Sequence, residues 1–586
     1  MHDLVIRGGT VVDGTGGPPH RADVAIDGAR IAAVGVVPGG ARETLDAQGL
    51  IVTPGFVDVH THYDGQATWD PELAPSCWHG VTTVVLGNCG VGFAPAPRDR
   101  HEWLIGLMEG VEDIPGAALS AGIRWDWETF PQYLDALARM PRALDVGTQV
   151  PHGALRAYVM GERGAANEPA TPDDIVAMER LVREALEAGA LGFTTSRTRG
   201  HRGVDGRPVP GTFAREDELI GIGQALGAVG RGVYEVAQAG TGGRTAGDPA
   251  GAAEREVGWM ARLSAAIGRP VSFLLMQLEE DPDSWRRLLG LADEAARQGA
   301  DLVPQVAARP FGMLAGHQSR ANPFADRPTY RTLAGLPLAE RIVELRDPEV
   351  RARILAERPV GDPQPGTLSA LLGPAMYARL FPLGDPPDYE PTADASVAAI
   401  AARENRDAEA VLYDLMLRHD GRELLFYPLL NYADCTAEPI REMILHPRSV
   451  LGLGDGGAHC GIICDASMTT FMITHWVRDR RRGPRIALET AIRALTHEPA
   501  ALYGLHDRGM LLPGLKADLN LIDLGRLRLR LPEMAFDLPT GARRLLQRAE
   551  GYVATLVSGR VTMREGVSTG VLPGRLVRGG TEPQGS

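Results

Sequence analysis

The chain has 586 residues, 44% of them apolar and 23% charged, with a formal net charge of −14. The length exceeds that of one ordinary domain, and the acidic balance argues against a nucleic-acid-binding surface or an anchor on anionic lipid. The opening stretch MHDLVIRGGTVVDG has neither the basic nor the apolar region of a secretion signal, and no run approaches the ~18 apolar residues of a membrane span.

Residues 1–52 alternate short β-type runs with Asp-Gly and Gly-Gly turns, as in LVIRGGTVVDG and ADVAIDGARIAAVG. The same texture returns over 506–578, in ADLNLIDL and YVATLVSGRVTMREG, which predicts one small β domain split between the two ends. Between them, eight apolar runs alternate with helical patterns: 51–60, 81–87, 143–150, 190–196, 232–238, 270–277, 301–306 and 449–455. Stretches such as DIVAMERLVREALEAG are amphipathic and close on a glycine suited to a helix C-terminus. The expected fold is α/β: a (β/α)8 TIM-like barrel over 53–505 with a small β-sandwich domain formed from both termini. A long interval at about 307–448 begins ARPFGMLAGHQSRANPFADRPTYRTL, with weak periodicity, and reads as an irregular lid or substrate loop. The tail 579–586 is expected to be disordered. Five cysteines give no disulfide framework, so a reducing, cytoplasmic location is expected.

The chemistry concentrates at the ends of the runs. In PGFVDVHTHYDG (54–65), strand alternation makes His60 and His62 project together, about 6.6 Å apart along the backbone. Neutral imidazoles on one face can share a metal ion. A bare pair in a polar turn would mean little, but the strand position and Asp64 strengthen the metal reading. Cys89, in GVTTVVLGNCGVGFAP, follows another β run; a free cysteine is most often a small buried hydrophobe, while a thiolate at a strand end can bind zinc. Asp455, in VLGLGDGGAH, is placed either to exchange a proton with a reacting water or to cap a turn.

PGFVDVHTHYD resembles the first-strand metal motif of the amidohydrolase superfamily. The chain is more specifically similar to the N-acyl-D-amino-acid deacylase (D-aminoacylase) branch, whose landmarks resemble GVTTVVLGNCGVGFAP (80–95), PHGALRAYVMG (151–161), GALGFTTSR (189–197) and VLGLGDGGAH (450–459). The resemblance implies that Cys89 is a zinc ligand and Asp455 the acid and base of amide hydrolysis. It also implies histidines ending strands 5 and 6, where this chain has Ala237 and Leu275. Glu235 lies two residues before Ala237 and so faces the same barrel interior. The expected centre is therefore one Zn2+ ion on His60, His62 and Asp455, with Cys89 or Glu235 added and one position open for water.

For a substrate, the candidates are His152, Ser196, Arg197, Arg309 and Gln277, with Arg199, Gln238 and His317 beside them and His459 next to Asp455. The leading expectation is a metal-dependent amidohydrolase cleaving a linear amide, an N-acyl-D-amino acid in particular. Its substrate would be small and carboxylate-bearing; no nucleic-acid or membrane partner is expected, and relatives of this kind suggest a homo-oligomer. Two alternatives stay open: an altered centre that opens a cyclic amide or runs a lyase or cyclase step, and a non-catalytic ligand-binding barrel.

Overall fold

A computed structural model describes residues 1–241, 251–360 and 373–580. Each of the eight apolar runs carries a short strand. In chain order the core strands are Phe56–Asp58, Val81–Leu86, Asp145–Thr148 continuing as Val150–Pro151, Gly192–Ser196, Val233–Ala237, Val271–Leu274, Leu302–Val306 and Val450–Leu451. Every one pairs in parallel with the next. A parallel bridge between Thr61 and Gly456 brings the residues after the last strand back to those after the first. Strands 2 and 5 are buried at every position, as parallel strands covered on both faces must be.

The covering helices form where the sequence supplies both ends. Pro172–Ala188 starts at a Thr171–Asp174 capping box and stops at Gly189, whose φ of 114° only glycine adopts easily. Glu216–Val229, Ala252–Ile267 and Ser284–Arg297 follow, each packed on the one before. Among the described residues, no helix is long and apolar enough to cross a membrane.

The two ends of the chain join as anticipated, but as one sheet. Ile51–Pro54 pairs antiparallel with Leu519–Ile522, making a continuous nine-stranded sheet from both termini. The ten-residue strand His2–Val11 explains why a sandwich of separate sheets is not needed. One edge pairs with His20–Asp27, with a register break between Ile6 and Gly9, and the other takes Ala41–Asp46 and then Ile51–Pro54. Ile6, Val24, Leu519 and Leu556 share the resulting core.

The long interval is not an irregular loop. It builds a subdomain with helices such as Leu338–Leu345, Pro348–Ala356 and Ala408–Met416, and with a three-stranded sheet of Phe311–Ala315, Leu425–Leu430 and Phe381–Pro382. Ile342, Leu345, Ile354, Leu412 and Met416 form a core of its own. Its helices are short, and some start at a side-chain cap, Asp407 accepting from Ala410 N–H for example, so no long period marks them in the sequence.

Past the sheet, the chain returns to the core strands. Gly574 N–H donates to Arg142 O at 2.8 Å, Val146 N–H to Arg575 O at 2.9 Å and Val577 N–H to Val146 O at 2.7 Å. Residues 574–577 thus line the edge of strand 3 where Asp145–Thr148 does not reach strand 4. Of the expected disordered tail, 581–586 lie outside the described residues, whereas Gly579 N–H donates to Gly189 O at 3.0 Å. Beneath, Asp145 receives Arg508 at 2.6 Å and Lys516 at 3.0 Å, tying strand 3 to the C-terminal segment that leads into the sheet.

Candidate metal centre

The loops after strands 1, 2 and 8 converge. The ligand atoms of His60, His62 and Cys89 all lie within 4.8 Å of one another, with Cys89 Sγ 3.4 Å from His60 Nε2. Asp455 Oδ1 is 3.6 Å from His60 Nε2 and 3.8 Å from His62 Nε2. Backbone bonds fix this meeting: Asp455 N–H donates to His60 O at 3.0 Å and His62 N–H to Gly456 O at 2.8 Å. The loops bend sharply to do so. Cys89 (φ 55°), Leu453 (φ 60°), Asp455 (φ 46°) and His459 (φ 52°) all hold left-handed conformations, and strain of this kind gathers at functional sites.

Outer contacts orient the donors. His60 Nδ1 lies 3.0 Å from Gln305 Oε1, an acceptor, so Nδ1 carries the proton and the Nε2 lone pair faces Cys89 and Asp455. Cys89 N–H donates to Glu235 Oε2 at 3.2 Å. Glu235 thus supports the turn that carries the thiol.

The electrostatics call for a cation. Burial pushes His60 down to about 3, outweighing the Gln305 contact, and holds His62 well below its ordinary value, so both are neutral ligands at pH 7. Burial likewise raises Cys89, Asp455 and Glu112 far above their ordinary values, and lifts Glu235 to about 8 and Asp58 and Asp64 to about 7. Oxygens of Asp58, Asp64, Glu112 and Glu235 are buried without a hydrogen-bond partner. The ion pairs of Asp455 and Glu112 are all with histidines. Buried carboxyls so arranged need a positive charge to stay ionised, and two imidazoles, a thiolate and a carboxylate are a donor set that suits zinc.

Other candidates fall elsewhere. His152 engages Thr195 Oγ1 at 2.8 Å and Glu218 Oε1 at 3.0 Å, so both ring nitrogens have protein partners. Arg197 donates to Glu256 and Ala214 O and lies over Trp259. Gln277 donates to Asp434 and accepts from Ala433 N–H, clamping the end of the insertion. Arg309 pairs with buried Asp465 and stacks over Tyr389, while His317 contacts Tyr330 inside the insertion. Arg199 lies over Phe213, and Gln238 donates to Leu274 O. Ser196 Oγ lies 3.0 Å from His201 Nδ1, an imidazole near enough to help depress His60 and His62. Three residues went unread in the sequence: Gln305, which strand alternation could have found, and Glu112 and His201, which no pattern marks. Ala237 and Leu275 are fully buried apolar side chains, as their identities require.

These features define a metal-assisted hydrolase. The sequence pattern of the amidohydrolase family matches residues 43–563, and the chain belongs to that family, whose members cleave amide C–N bonds. Within it the chain is D-aminoacylase-like. It is 28% identical to the D-aminoacylase of Alcaligenes xylosoxydans xylosoxydans over 579 residues, 98% of this chain and 97% of that one. It is 29% identical to the N-acyl-D-aspartate deacylase of the same organism over 589 residues, 99% and 95% of the two chains. A solved D-aminoacylase, described for its binuclear metal centre, superposes with a TM-score of 0.64 at 25% identity, covering 99% of this chain and 100% of that one.

Proposed function

We propose that the eight parallel strands close into a (β/α)8 barrel and that the protein hydrolyses the linear amide of an N-acyl-D-amino acid with one zinc ion. The convergence of His60, His62, Cys89 and Asp455 carries this reading. A bound zinc ion supplies acidity to a water and polarises the amide carbonyl. The chain's own residues do the rest. His60, held by Gln305, and His62 present Nε2 atoms, and Cys89, supported by Glu235, presents sulfur. Asp455, beside both Nε2 atoms, takes the proton of the attacking water and returns it to the leaving nitrogen. The D-aminoacylase relatives support the substrate class, a small carboxylate-bearing molecule, and a cytoplasmic homo-oligomer remains part of the proposal.

The test is metal analysis joined to a substrate panel. Purified protein should hold about one equivalent of zinc, and His60→Ala less than a tenth of that. Metal-replete protein should turn over N-acetyl-D-amino acids in preference to their L forms. Turnover of no member would favour a second reading, an altered centre acting on a cyclic amide or by elimination, for which Ala237 and Leu275 are the motivating observation.

A further inference from the structure

Glu112 ends the helix His101–Glu112, far from any metal motif in the sequence, yet its side chain is only 2% exposed. Its carboxylate lies between two imidazoles, Oε1 at 3.4 Å from His62 Nδ1 and Oε2 at 3.8 Å from His459 Nε2. Neither His62 Nδ1 nor Glu112 Oε1 has a hydrogen-bond partner. Two buried, unpartnered atoms facing each other at that distance call for one arrangement. The proton belongs on Nδ1, toward the carboxylate, and the lone pair on Nε2, the nitrogen nearest Asp455. The backbone of the same helix end is engaged as well. Glu112 O accepts from His459 N–H, and Asp113 accepts from Gly461 N–H at 3.2 Å and pairs with Arg320.

We propose that Glu112 is a positioning residue of the metal centre: it sets the tautomer of His62 and, through His459, couples that ligand to the loop carrying Asp455. The inference rests on the metal reading above. His60 has a neutral carboxamide behind it, whereas His62 has a carboxylate, and an anionic partner makes an imidazole the stronger donor. A centre lacking histidines at strands 5 and 6 gains from that strengthening.

Zinc affinity is measured by competition with a chromophoric chelator, and imidazole 15N shifts are read on zinc-loaded protein, for wild type, Glu112→Gln and Glu112→Asp. Glu112→Gln should bind zinc about 10–100-fold more weakly and lose the single His62 tautomer of wild type. Glu112→Asp keeps the charge on a shorter arm and should fall between, which also serves if the amide variant folds poorly. Tight zinc binding by wild type with unchanged affinity and tautomer in both variants overturns the role of Glu112 alone. A wild-type protein that takes up no metal overturns the zinc reading and this one with it.

Discussion

Asp455 shows how much a single position carries. Its left-handed backbone and its hydrogen bond to His60 O aim the carboxylate at both Nε2 atoms. Asp455→Asn keeps the shape but cannot take a proton, so kcat at saturating zinc should fall about 10²–10⁴-fold, with zinc content measured in parallel to separate that loss from weaker metal binding. His60, His62, Cys89 and Asp455 were legible because strand ends and flanking glycines announce them. What the sequence did not show for His152, Arg197 and Gln277 is the protein partner each side chain finds. Glu218, Glu256 and Asp434 are those partners, supplied by neighbouring helices and loops that no local pattern connects to them. Glu112 was invisible because its significance lies wholly in what folds against it.

Among elements, the GNCG turn is the most constrained. Gly90 has φ 71°, and a Cβ there would lie 2.8 Å from Ser196 N, so the turn rests directly on the end of strand 4. Gly90→Ala should destabilise the protein by about 1–3 kcal/mol in denaturant unfolding and weaken zinc binding by displacing Cys89. The insertion is fastened to the barrel side by Glu390. Burial acts to raise its pKa, but contacts from His475 and Arg480 and the Ala437 N–H outweigh it and bring the carboxyl down to about 2. A folded value below the unfolded one means the stabilisation is complete above about pH 4.5 and disappears as pH falls toward 2. Glu390→Gln should therefore cost roughly 2–3 kcal/mol at neutral pH and flatten the acid limb of a stability–pH profile. The sequence indicated eight core strands because apolar runs are local, but not the insertion's helices, whose identity depends on short caps and a shared core.

At the scale of the molecule, the ends of the chain complete what the middle begins. Ile51–Pro54 gains its neighbour from Leu519–Ile522, and strand 3 gains its free edge partner from residues 574–577. Removing residues 571–586 should lower the thermal midpoint by several degrees in a calorimetric scan and raise aggregation, since it bares a strand edge. The hydrogen bond from Arg575 N–H to Asp145 spans 430 residues of sequence. During synthesis, strand 3 leaves the ribosome long before its partner exists, so its edge stays uncovered while most of the protein is already outside. That edge therefore cannot be covered until the last segment is translated, whatever the pace at which the helices form.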